Sequence, residues 1–156
     1  MMSSHDRFVP GEGGILSISR QSSSIERRLL LTHESFHGIF FASPDYRAFC
    51  FQLWDSLSPA ERGFVVGFLD DLGYDGQSRY LAVNEFQAYL MQQPAAFAPA
   101  YFQRVLSRFG SPAGQSGVVQ AGLLSSARSL DSFLRSHYGI RAGGTLLPSR
   151  TVETAG

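Results

Sequence analysis

Two histidines and a glutamate in the stretch LLLTHESFHGIFF, residues 29–41, have the types and spacing that metal chemistry requires. His33 and His37 are four residues apart, so on a helix their imidazoles share one face and can bind one ion. Glu34 follows the first histidine, where its carboxylate can reach a water bound to that ion. Zinc lowers the pKa of such a water to roughly 7, and a carboxylate can then take its proton. The pattern predicts a zinc site with Glu34 as general base, provided that the segment is helical and a third ligand exists.

The sequence around this pattern favours a helix. Ser23 and Glu26 have the S-x-x-E spacing of a capping box, which predicts a helix beginning near Ser24. The chain Ala42-Ser43-Pro44 predicts its end. Apolar residues and both histidines recur at spacings of three and four, as expected for a helix with one face in the core. The residues of this stripe are Leu29, Leu30, His33, Phe36, His37 and Phe40.

The third ligand must come from elsewhere, because a catalytic zinc usually takes three protein ligands. The remaining histidines, His5 and His137, lie in the N-terminal stretch and at the end of a distant predicted helix. Glu85 is the better candidate, because it is a carboxylate in an almost uncharged helix with Tyr89 on the same side. A solvent-exposed helix glutamate is the alternative interpretation.

The pattern H-E-x-x-H on one helix, followed by a glutamate in an N-E-x-x-x-Y setting on a later helix, resembles the gluzincin group of zinc metallopeptidases. The resemblance extends over about residues 13–93. It implies that His33, His37 and Glu85 are the ligands of one zinc ion and that Glu34 is the general base. Family members such as thermolysin carry an acidic residue four positions after the ligand glutamate, where this chain has Tyr89. The residues that orient the histidines must therefore differ from those of the family.

The resemblance also implies a substrate-binding strand ahead of the motif helix. Residues 13–20, GGILSISR, alternate in the way that predicts a short strand; a loop is the alternative. In the family such an edge strand pairs with extended peptide, which implies substrate-binding roles for Ile15, Leu16, Ser17 and Ile18. The family's oxyanion-stabilising tyrosine or histidine has no motif to align here, and its candidates are Tyr80, Tyr89, His137 and Tyr138.

The rest of the chain predicts further helices at about residues 44–57, 59–72, 81–93, 95–109 and 118–138. We therefore predict a mainly α fold, a zincin-like catalytic subdomain with a short N-terminal edge strand. A lone strand leaves backbone groups without partners, which favours a fragment of a larger α+β protease. The predicted organisation is a flexible N-terminus at 1–12, the catalytic domain at 13–139 and a loose C-terminal tail at 140–156.

Composition limits the functions to consider. Lys and Arg together number 13, as do Asp and Glu, and this zero net charge gives no support to a nucleic-acid or anionic-membrane partner. No signal peptide or membrane span is predicted, and the single cysteine, Cys50, lies in an apolar run typical of a buried residue. The expected function is a zinc-dependent peptidase acting on peptides or proteins. The alternatives are a zinc-binding structural or interaction domain without turnover and a metal-free helical module. Compartment, oligomeric state and substrate preference stay open.

Overall fold

The computed structural model describes residues 23–110 and 114–144. These residues form six α-helices and no strand, which confirms the mainly α fold for this part of the chain. The helices are α1 (Ser24–Ala42), α2 (Pro44–Ser56), α3 (Pro59–Asp71), α4 (Arg79–Met91), α5 (Ala98–Phe109) and α6 (Ser116–Tyr138). The predicted edge strand, with Ile15, Leu16, Ser17 and Ile18, lies outside the described residues.

Serine side chains cap the N-termini of the first three helices. The Ser23 hydroxyl accepts a hydrogen bond from the Glu26 amide at 3.2 Å, while the Glu26 carboxylate accepts one from the Ser23 amide at 2.8 Å. These bonds satisfy amides that the first turn leaves without partners, and they hold the pKa of Glu26 below its ordinary value. Ser58 and Glu61 form the same box at α3. The capping box predicted at Ser23 and Glu26 is thus confirmed.

The last two helices differ slightly from their predicted limits. Helix α5 begins at Ala98 with Pro99 in its first turn, so this proline marks the start of the helix and does not bend it. Helix α6 begins at Ser116 and ends before Gly139, which has a left-handed φ of 67°. That conformation favours glycine and confirms Gly139 as the predicted helix stop.

Helix α4 is the central element of the fold and packs against α1, α2, α3 and α6. Every residue from 82 to 88 is buried, so the helix has no fully solvated face in this stretch. Three polar side chains, Asn84, Glu85 and Gln87, are among these buried residues. Because buried polar groups need partners, the position of α4 requires that each find one in the interior.

Glycine allows α6 to approach α3 closely. A methyl group at Gly122 would overlap the carboxylate of Glu61, whose other oxygen is held by the Ser58 amide at 2.6 Å. The helix continues through Gly122 because tertiary packing outweighs the lower helix propensity of glycine. The absence of a side chain at Gly122 thus allows α6 to pack directly against the Glu61 carboxylate of the α3 capping box.

The chain after α6 returns to the core over the residues that the structure describes. The Gly143 amide donates to the Met91 carbonyl at 2.7 Å, and the Ala142 amide donates to the Asp131 carboxylate at 2.7 Å. Residues 140–144, the first part of the predicted tail, therefore close the end of α4 against α6. Residues 145–156 are outside the described part.

The single cysteine of the sequence is a core residue. Cys50 is fully buried in α2, and burial raises the pKa of its thiol to about 12, as expected for a residue that serves packing.

Among residues 23–110 and 114–144, no helix combines the length and the apolar character that crossing a bilayer requires.

Candidate metal centre

The packing of α1 on α4 brings His33, His37 and Glu85 to one point. The Nε2 atoms of the two histidines lie 3.1 Å apart. One Glu85 oxygen is 3.3 Å from His33 Nε2, and the other is 3.5 Å from His37 Nε2. The helical spacing of the motif supplies one edge of this triangle, and the central helix supplies its third corner.

The cluster is almost completely removed from solvent. The side chains of His33, Glu85 and His37 are 7%, 8% and 12% exposed. Glu85 is therefore not the solvent-exposed helix glutamate of the alternative interpretation. Its Oε2 atom is buried without a hydrogen-bond partner in the described part of the chain. A buried carboxylate oxygen without a partner destabilises the fold, and a bound cation would offset this cost.

A buried polar network fixes the orientation of His37. The Gln87 amide nitrogen donates to the backbone carbonyl of Asn84 at 2.9 Å and faces the Asn84 side-chain oxygen at 3.4 Å. Its carbonyl oxygen accepts a hydrogen bond from the Tyr46 hydroxyl at 2.9 Å. Because a backbone carbonyl can only accept, these contacts make the Asn84 oxygen the atom that meets His37 Nδ1, at 2.9 Å. His37 therefore donates through Nδ1 and directs the lone pair of Nε2 toward Glu85.

His33 is held in the same way from the other end of α4. Its Nδ1 lies 3.0 Å from the Gln92 side-chain oxygen, and the Gln92 nitrogen donates to the Tyr101 hydroxyl at 2.8 Å. Burial raises the pKa of Tyr101 to about 12, against smaller opposing effects of Gln92 and Arg104. The Tyr101 hydroxyl thus stays protonated at neutral pH. An amide oxygen on each Nδ1 is the kind of support that orients metal-binding histidines.

These orientations leave three electron-pair donors facing one another. When both Nδ1 atoms donate to these amide oxygens, the two Nε2 lone pairs and the carboxylate face one another, and their approach to 3.1 Å is stabilised by a proton or a metal cation between them. Ligands about 2.1 Å from one tetrahedral ion stand roughly 3.4 Å apart. The observed separations of 3.1, 3.3 and 3.5 Å bracket that value. The donor set, two imidazoles and a carboxylate, could hold a divalent transition-metal ion.

A cleft opens beside the cluster. It has a volume of about 540 Å³ and is lined by His33 and Glu34 of α1, with walls from α3, α4 and α5. Among residues 23–110 and 114–144, the Glu34 carboxylate makes neither a hydrogen bond nor an ion pair. Glu34 is thus available to a molecule in the cleft, whereas Glu85 is committed to the histidines.

The structure separates the four oxyanion candidates. Only Tyr89 lines the cleft; its ring lies edge-on to His33 with centroids 4.6 Å apart. Burial, with smaller effects of Tyr74 and Glu85, raises the pKa of the Tyr89 hydroxyl well above its ordinary value. Tyr80 packs on Phe40 and Phe51.

The other two candidates lie at the end of α6. His137 stacks on Phe133 with ring centroids 4.1 Å apart, and the Tyr138 hydroxyl lies 2.6 Å from the Ser43 hydroxyl. Neither residue lines the cleft beside the cluster. Both residues are exposed: His137 contacts its own helix, and Tyr138 contacts the N-cap residue of α2.

Several residues of the site were not identified from the sequence. They are Asn84 and Gln92, which hold the histidines, and Tyr74, Tyr101, Arg104 and Arg108, which line the cleft. Gln92 stands seven residues after Glu85, on the same helical face, which is a signal that sequence could have supplied. The residues of α5 carry no such signal, because their position depends on how α5 packs.

Comparison with known proteins adds no assignment. The chain matches no protein-family model, and no curated protein or solved structure gives a match.

Proposed function

We propose that the protein is a zinc-dependent peptidase with one zinc ion held by His33, His37 and Glu85. The observation that carries this proposal is the buried triangle of inward-facing donors, with two nitrogens 3.1 Å apart and an unpartnered carboxylate oxygen. The pairing of α1 with α4 around these residues also supports the zincin-like interpretation of the fold. Substrates would be peptides or proteins bound in the adjacent cleft.

The roles of the chain's own residues follow from their surroundings. A zinc ion here would supply a Lewis acid that polarises a peptide carbonyl and activates water. Glu34 lines the cleft without a partner, so it would take a proton from the attacking water and deliver it to the leaving amine. Asn84 and Gln92 would keep the histidine lone pairs aimed at one point. Tyr89 is the candidate donor to the developing oxyanion, because its hydroxyl remains protonated at neutral pH.

The number of ligands favours a catalytic site over a purely structural one. Structural zinc sites almost always have four protein ligands, whereas catalytic sites have three and keep one position for water or substrate. The described residues bring together one group of three. His33 of this group lines a cleft, together with Glu34, that is large enough for several amino-acid side chains. A zinc-binding domain without turnover is the second candidate, and the experiment below separates the two.

The test is metal content and hydrolysis measured on the same preparation of the full chain. We expect about one zinc per chain by elemental analysis, and zinc-dependent cleavage of a mixed peptide library followed by mass spectrometry. Glu34→Gln should retain the metal and lose the cleavage. Cleavage that persists in metal-loaded Glu34→Gln would refute the role of Glu34. Bound zinc without hydrolysis would favour the structural domain, and no bound zinc would reject both.

A further inference from the structure

Two arginines on α5 distinguish one wall of the cleft. Arg104 and Arg108 are four residues apart and both line it, together with Tyr101 and Val105 of the same helix. The spacing of these four positions places them on one helical face. Within residues 23–110 and 114–144, neither arginine forms an ion pair with a carboxylate. The cleft therefore presents two positive charges that the described part of the protein does not neutralise.

Several other arginines of the fold are engaged by carboxylates or backbone carbonyls. Arg79 makes two hydrogen bonds to the Asp55 carboxylate at 2.7 and 2.8 Å. Arg47 donates to the Phe40 and Phe41 carbonyls, and Arg62 to carbonyls at the end of α2. The guanidinium of Arg108 lies only over an aromatic ring, that of Phe109, 5.2 Å from its centroid. Its hydrogen-bond donors remain available to a ligand.

A chain of hydrogen bonds connects the helix that carries these arginines to His33. Tyr101 is joined to His33 through the Gln92 side chain by contacts of 2.8 and 3.0 Å. With a rise of 1.5 Å per residue, Arg104 and Arg108 lie roughly 4.5 and 10.5 Å farther along α5 than Tyr101. An extended peptide advances about 3.4 Å per residue, so a substrate lying along α5 would cover these distances with roughly one and three residues.

We propose that this wall selects peptides that carry a carboxylate within about three residues of the cleaved bond. A guanidinium presents paired donors that match a carboxylate, and peptides offer this group as a free C-terminus or as an acidic side chain. Leu30 and Leu72, which line the same cleft and are 43% and 42% exposed, would contact the apolar part of such a substrate. The selectivity for cleavage rests on the proposed peptidase function, but carboxylate binding can be measured separately.

The test uses matched peptides of one sequence: one with a free C-terminus, one amidated, and amidated versions with Glu or Gln beside the cleaved bond. The zinc-loaded full chain should cleave the carboxylate-bearing members with a kcat/KM about tenfold higher, equivalent to ~1.4 kcal/mol. Arg104→Gln and Arg108→Gln should remove this preference, lowering kcat/KM more for the carboxylate-bearing peptides than for the neutral ones. Arg128→Gln, the same charge change on α6 outside the cleft, is the matched control. The two carboxylate-bearing peptides distinguish a terminal from a side-chain carboxylate.

Binding to zinc-loaded Glu34→Gln, followed by fluorescence anisotropy, gives a second measurement that does not require turnover. Tighter binding of the carboxylate-bearing peptides, lost in the α5 variants, would support carboxylate recognition. If the wild-type protein nevertheless cleaves no peptide, only the peptidase proposal is overturned. Cleavage with equal rates for charged and neutral peptides would overturn the selectivity and leave the peptidase. Equal binding of charged and neutral peptides would overturn carboxylate recognition.

Discussion

Replacing Glu85 by glutamine should have opposite effects on the metal-free and the zinc-loaded protein. With both histidine Nδ1 atoms donating to their amide partners, the two Nε2 atoms and the carboxylate lie 3.1–3.5 Å from one another with no hydrogen between them in the metal-free protein. Glu85→Gln keeps the shape of the side chain but introduces an NH₂ group that can donate to a histidine nitrogen. It also removes the negative charge that a zinc ion would need. The substitution should therefore stabilise the metal-free fold and weaken metal binding.

The size of the first effect follows from the unpartnered oxygen. A buried polar atom without a hydrogen bond costs about 1–3 kcal/mol, which the substitution should recover. For a domain of this size 1 kcal/mol corresponds to roughly 4 °C in melting temperature, so metal-free Glu85→Gln should melt about 4–12 °C higher. The wild-type protein should gain about 2.7 kcal/mol, or roughly 11 °C, at free zinc 100 times its Kd, and the variant much less.

Thermal unfolding followed by circular dichroism, with chelator or with buffered zinc, measures both effects. Metal binding requires deprotonated ligands, so the measurement is made at a pH near 8. Glu34→Gln is the matched control: it makes the same substitution in an adjacent part of the site, at a carboxylate without a partner in the described structure. It should leave the metal-free melting temperature and the zinc-induced shift unchanged.

One result would refute this reasoning. If metal-free Glu85→Gln melts below the wild type and both respond equally to zinc, the carboxylate is already satisfied without a cation. Glu85 would then be a packing residue of α4, and the three-ligand interpretation would fail with it.

Three further predictions concern other parts of the molecule. Asn84→Ala should weaken zinc binding about 10–100-fold in a chelator competition, because His37 loses the acceptor that orients it; an unchanged Kd would argue against this support. Glu34→Gln should lower the rate of peptide cleavage about 10²–10⁴-fold at constant zinc content. Gly122→Ala should destabilise the fold by about 1–3 kcal/mol in urea unfolding, because its methyl group meets Glu61. Gly117→Ala, with open space around it, should instead be neutral or stabilising.

The residues that contact the two histidines differ from the pattern expected from the gluzincin resemblance. The acidic residue four positions after the ligand glutamate is replaced by Tyr89, which packs its ring against His33. Two neutral amides, Asn84 and Gln92, contact the histidine Nδ1 atoms instead. An amide oxygen fixes the tautomer as a carboxylate would, but without a second negative charge.

Short-range sequence patterns determined most of the secondary structure. Capping boxes, N1 prolines and terminal glycines act within about four residues, so they predict where helices begin and end without reference to the fold. The same locality places His33 and His37 on one face of α1. The limits of α4, which lacks a side-chain cap at its N-terminus, were less well predicted: the helix begins two residues before Leu81.

The assembly of the candidate site was decided by the tertiary structure. His33 and Gln92 are 59 residues apart in the chain, and His37 and Asn84 are 47 apart. The sequence identified Glu85 as a candidate ligand, yet only the burial of α4 between its neighbours turns it toward the histidines. The positions of Arg104 and Arg108 depend in turn on the packing of α5 against α6 and α3. Contacts of this kind arise from the simultaneous packing of several helices, because each buried polar side chain must find its partner on another element.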